Sequence, residues 1–168
     1  MNRTNFCCSA ALGGIVLAVR GMADAAELPG PTGQIRLTPA GLAKLAPGGA
    51  IGSSNVAGIE DWTLKGTPTA SGLYTIALRV PKHTRIQAHW HPDDRVATVV
   101  RGTWSLGYGE DFDESKLRTL PPGSFYTEPS RQGHFAQTHD EDVLVFITGS
   151  GPTGTTYYDA NWDPARRR

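Results

Sequence analysis

From Leu73 onward the chain is cut into short runs rich in β-branched and aromatic residues, each closed by a turn cluster. The runs are LYTIALRV, RIQAHW, RVATVV, TWSLGYG, KLRTL, SFYTE, HFAQTH and DVLVFITG. Between them lie PKH, HPDD, RG, GEDFDES, PPG, PSRQG and DED. Many short strands separated by frequent turns predict an all-β barrel or sandwich. The 20 glycines and 12 prolines supply those turns and argue against a helical bundle.

Residues 26–72 read differently. They form an irregular lead-in with one short helix, in which Thr38 serves as N-cap, Pro39 opens the helix, Leu42 and Leu45 share a face and Pro47 stops it. Residues 159–168 read as a polar tail. At the other end, residues 1–25 have the order of an export signal: basic MNRTNF, apolar CCSAALGGIVLAV, and Ala23 and Ala25 before a cleavage point. The apolar run is too short to span a bilayer. The expected location is therefore periplasmic, with no membrane attachment after cleavage. Both cysteines, Cys7 and Cys8, fall inside this segment, so a mature chain offers no thiolate. With 16 basic and 16 acidic residues the net charge is zero, and no basic field invites nucleic acid.

His89 and His91 stand two apart in a predicted strand and therefore face the same side, with Trp90 opposite. Imidazoles at this spacing can converge on one ion. His134 follows a turn-bounded strand and can return toward the pair. His83, in PKHTR, and His139, before DED, read as surface residues. Three histidines with open positions suit iron(II), zinc, nickel or copper, and manganese prefers a share of oxygen ligands.

Taken together, these motifs resemble those of the cupins. His89, His91 and Gly102 match the family's first motif, G-x5-H-x-H-x3–4-E-x6-G. Gly123, Pro129 and His134 match its second, G-x5-P-x-G-x2-H-x3-N. The resemblance covers about Leu73 to Tyr158, giving a cupin domain over 73–158. It implies a jelly roll of two packed antiparallel sheets, a metal held by His89, His91 and His134, and a small-molecule ligand. It also admits a homodimer. Four positions depart from the motifs: His83 and Arg131 replace glycines, Thr138 replaces asparagine, and Arg95 stands where the family has glutamate.

An inward guanidinium beside a metal requires an anion. The resemblance implies that Glu128, just before Pro129, faces inward, which makes it one candidate, and a substrate carboxylate is the other. Alternatively Arg95 turns outward to Asp93 or Asp94, which otherwise read as turn residues accepting backbone hydrogen bonds. Alternation lets Tyr126 share the pocket face with Glu128. The expected function is an exported metal-dependent enzyme, dioxygenase-like first and lyase or isomerase next. Its substrate is a small oxygenated or acidic molecule, with Arg95, Glu128 and Tyr126 serving the chemistry. The alternative is a non-catalytic pocket that binds or senses a small ligand, with or without metal.

Overall fold

The computed structural model describes residues 33–48 and 53–167. The expected export signal lies outside the described residues. Among the described residues no helix is long and apolar enough to cross a membrane. The chain divides into two compact units between Lys44 and Leu45.

In the first unit, helix α1 spans Pro39–Leu42. Thr38 caps it, its hydroxyl accepting from the Gly41 amide at 3.1 Å, and Pro39 opens it. The helix ends well before Pro47. The Lys44 amide already bonds back to the Gly41 carbonyl at 3.1 Å, tightening the last turn.

The described residues of the second unit form a jelly roll of ten strands in two antiparallel sheets. In chain order these are β1 (Glu60–Lys65), β2 (Gly72–Val80), β3 (Arg85–Trp90), β4 (Arg95–Arg101) and β5 (Trp104–Tyr108). They continue as β6 (Arg118–Leu120), β7 (Phe125–Glu128), β8 (His134–Gln137), β9 (Val143–Gly151) and β10 (Thr156–Tyr157). One sheet runs β1-β2-β9-β4-β7 and the other β10-β3-β8-β5-β6. Inward residues of the two sheets, among them Ile76, Leu78, Val99, Val143, Val145, Leu106 and Ala136, form one core.

Strand β1 departs from the sequence expectation, which placed residues 60–65 in an irregular lead-in. EDWTLK does not alternate: Asp61 and Trp62 are both buried. The strand is fixed by long-range partners instead. Trp62 donates to the Leu45 carbonyl at 3.0 Å, and β1 pairs with β2 through a register shift between Thr63 and Lys65. The sheets therefore begin before Leu73. The tail holds two short 3-10 turns, Ala160–Trp162 and Pro164–Arg167.

Two motif departures disappear at the level of backbone. His83 (φ 57°) and Arg131 (φ 59°) occupy left-handed conformations at positions where the family motif has glycine. The turn geometry is kept although the residue that adopts it without strain is not. Thr138, at the motif's asparagine position, ties the end of β8 to the β2–β3 turn. Its hydroxyl accepts from the Thr84 amide at 2.9 Å and donates to the Pro81 carbonyl at 2.5 Å.

Candidate metal centre

A bulge sets the aim of the first two histidines. Ile86 pairs with Ala136 and His89 with His134, so three steps along β3 match two along β8. Ala88 and His89 are consequently both buried, and the inward face shifts from even to odd positions before His91. His91 lies just beyond the strand. Its carbonyl accepts from the Arg131 amide at 2.8 Å, which fastens the β3–β4 turn to the β7–β8 turn. Ser130 reinforces this join, its amide donating to Asp94 at 2.8 Å and its hydroxyl to the Pro92 carbonyl at 2.6 Å.

The three histidines converge. Each offers a ring nitrogen, and these atoms lie within 4.8 Å of one another. Ring centroids are 4.3–5.1 Å apart. Nδ1 of His89 is 2.7 Å from the Gln87 carbonyl and Nδ1 of His91 is 2.6 Å from that of Gly154. A carbonyl can only accept, so each Nδ1 donates and each Nε2 keeps its lone pair. His134 repeats the arrangement more loosely, 3.5 Å from the Gln132 carbonyl. His83 and His139 are exposed and stand apart from this cluster, as the sequence suggests.

Arg95 points inward. It is the register partner of Glu128 across β4 and β7, and both are buried, at 3% and 4% exposure. Arg95 Nε donates to Glu128 Oε2 at 2.6 Å, and Nη2 donates to the same oxygen. The outward pairing with Asp93 or Asp94 does not occur. Glu128 meanwhile faces the histidines, with Oε2 3.8 Å from His91 Nε2 and Oε1 3.6 Å from His134 Nε2. Tyr126, two residues earlier on the same face, is also buried.

This arrangement sets acceptor against acceptor. Lone pairs on neutral imidazoles face a carboxylate, and the buried His91 Nε2 has no hydrogen-bond partner. Burial pushes the His89 and His134 pKa values down to about 3, helped by His134 and by Arg95 respectively, and pushes that of His91 well below 6.5. The rings are therefore neutral at ordinary pH, as metal ligands must be. A divalent cation would satisfy all of these groups at once, so the donor set fits one.

Behind Arg95 lies a second polar group. Asp93 is buried, and the Tyr74 hydroxyl donates to its Oδ2 at 2.9 Å. Gly149 makes room, since a β-carbon there would stand 2.5 Å from that oxygen and 2.6 Å from the Tyr74 hydroxyl. Burial works against the Arg95 charge, but Glu128, Tyr74 and Asp93 around it outweigh this and raise its pKa. Asp94 is the turn residue that the sequence suggests. Asp93 is not, and it could have been found by counting two residues back from Arg95 along the inward face.

No protein-family model matches the chain, and no curated protein matches it. Solved structures do. A DMSP lyase from Ruegeria pomeroyi superposes with a TM-score of 0.56 at 17% identity, covering 70% of this chain and 63% of the lyase. The chain has the cupin fold. The polyketide cyclase RemF from Streptomyces resistomycificus matches with a TM-score of 0.50 at 14% identity, covering 67% of this chain and 80% of its own. A mutant form of salicylate 1,2-dioxygenase from Pseudoaminobacter salicylatoxidans gives 0.50 at 14% identity, with 61% and 31% covered. The chain thus spans less than two thirds of the lyase and about a third of the dioxygenase.

A cavity of about 20 Å³ adjoins the histidines, lined by His89, His134, Arg95, Glu128, Tyr126 and Trp104 among others. A larger cleft of about 640 Å³ runs past Asn55, Arg85, Gln87, Tyr157 and Trp162, but none of the three histidines lines it. The small cavity is where ionisable groups converge, and it is the candidate site. Sequence reasoning missed Trp104, which carries no motif and reads as ordinary core.

Proposed function

We propose that this cupin is a metal-dependent enzyme of the dioxygenase type, exported, and acting on a small oxygenated or acidic molecule. The observation that carries the reading is the convergence of three neutral imidazoles beside one carboxylate that Arg95 grips. His89, His91 and His134 would hold a divalent ion through Nε2. Such an ion supplies Lewis acidity or, if redox-active, oxygen activation.

The chain's own residues do the rest. Gln87 and Gly154 fix the His89 and His91 rings through Nδ1. Arg95 grips Oε2 of Glu128 with two donors and leaves Oε1 to take a proton from a substrate hydroxyl or acidic carbon. In this reading Arg95 positions Glu128. The Tyr126 phenol, its pKa pushed well above 10 by burial and then by Glu128, stays protonated and can donate its proton in a hydrogen bond to an oxyanion.

The names of two similar structures, a lyase and a dioxygenase, are compatible with this chemistry on this fold. Oxygen uptake by the iron(II)-loaded full chain, measured across a panel of small organic acids, tests it. We expect uptake with at least one acid, loss in His134→Ala, and none in the zinc-loaded protein. An acid that binds saturably but is recovered unchanged with every metal would favour a binding protein. Export is tested by the N-terminus of the mature protein, expected just after Ala25.

A further inference from the structure

We propose that Ser54, Trp104 and Tyr126 form a hydrogen-bond-donating subsite beside the histidines for the carboxylate or carbonyl head of a small organic ligand. The proposal deepens the reading above and rests on it for the neighbouring metal.

All three side chains line the 20 Å³ cavity. Ser54 and Trp104 are buried at 4% and 3% exposure, yet the Ser54 hydroxyl and the Trp104 indole nitrogen have no hydrogen-bond partner. The indole N–H stands close enough to the Tyr126 phenol to lower its pKa, but makes no hydrogen bond of normal geometry with it. An indole N–H can only donate, and leaving it unmet in a core is costly.

The donors are also held in place. Trp104 belongs to β5, paired with Leu120 of β6. The Ser53–Ser54 segment is strapped down by the strand that ends the barrel. Thr155 donates to the Ser53 carbonyl at 2.7 Å, and the Tyr157 hydroxyl donates to that of Ser54 at 2.5 Å.

Size and charge select the ligand. The space suits one or two water-sized groups. That admits a carboxylate or carbonyl head but not a ring. Glu128 would repel an anion, but Arg95 already balances its charge. A divalent ion on the histidines would then leave the cavity positive. Three donors beside a positive centre suit an acceptor oxygen.

Formate is the smallest probe of this chemistry. The full chain, with and without zinc, is titrated with formate while the indole N–H signals of its four tryptophans are followed by ¹H–¹⁵N NMR. The Trp104 signal is identified by its loss in Trp104→Phe, or by elimination with phenylalanine at Trp62, Trp90 and Trp162 if that variant does not fold. We expect the Trp104 signal to move downfield and saturate. Trp104→Phe and Ser54→Ala should each weaken formate about tenfold with zinc content unchanged. A Trp104 signal that stays fixed throughout, or formate affinity unchanged in both variants, overturns the subsite. A chain that takes up no zinc would remove the metal reading alone. In that case a Trp104 signal that still answers formate upholds the subsite, and one that does not overturns it.

Discussion

The barrel interior has two halves that share the same strands and the same alternation. Toward one end, β2, β4 and β9 present Val80, Val99, Val143 and Val145, all fully buried. Toward the other, the same strands present Tyr74, Arg95 and Gly149, joined by Asp93, Glu128 and the three histidines. The valine half is complete in itself. The polar half is not: Asp93 Oδ1, His91 Nε2 and Trp104 Nε1 are buried without hydrogen-bond partners. One half is filled with methyl groups and the other is lined with ionisable side chains, a contrast that supports the proposal of a cation site in the second half.

The sharpest way to break this contrast is to unbalance the polar half. Glu128→Ala leaves the Arg95 charge buried beside neutral rings, and should destabilise the metal-free protein by about 3–5 kcal/mol in denaturant unfolding. Replacing both partners, Arg95→Met with Glu128→Leu, should recover most of that loss while impairing metal uptake. A loss below about 1 kcal/mol for Glu128→Ala alone would mean that Arg95 reaches water.

Acid attacks the same half. The folded pKa values of His89 and His134 are depressed to about 3, against 6.5 for a free imidazole. The unfolded chain therefore takes up protons first as pH falls. Stability is fully present above 6.5 and is lost progressively between 6.5 and about 3. Each such histidine contributes about 1.4 kcal/mol per pH unit in that window. Unfolding midpoints of the metal-free protein at pH 7.5, 6 and 5 should fall accordingly, and bound metal should raise all three without flattening the slope, because the folded rings are already unprotonated there.

The valine half should respond only through packing. Ile76→Val, in the apolar core, should cost about 0.5–1.5 kcal/mol and leave metal uptake unchanged. A change in metal content there would show that the halves are coupled. Smallest of all, His83→Gly relieves a left-handed non-glycine residue in an exposed turn. It should shift stability by less than about 1 kcal/mol, in the stabilising direction.

The apolar half was legible because alternation and turn chemistry are local. DVLVFITG and LYTIALRV carry their burial pattern on their face. The histidine triad was legible through spacing and motif context, and the Arg95–Glu128 pair through the motif resemblance, which turned both residues inward, and then through charge, since an inward arginine demands a carboxylate. What was hidden depends on distant partners. β1 is held by Leu45 and β2 despite an irregular pattern. The β3 bulge exists in its register with β8. Trp104 looks like core until its indole nitrogen is seen to lack a partner. Tyr74 and Asp93 meet only because Gly149, far along the chain, leaves space between strands.

The central claim is that the polar half is built around a divalent ion. Elemental analysis of the full chain, purified without a histidine tag and loaded with divalent metals, tests it most directly. We predict about one ion per chain. It should be lost in His89→Ala, His91→Ala and His134→Ala, and retained in His83→Ala and His139→Ala. A wild-type chain that retains no metal, or equal loss in His139→Ala, would contradict the account.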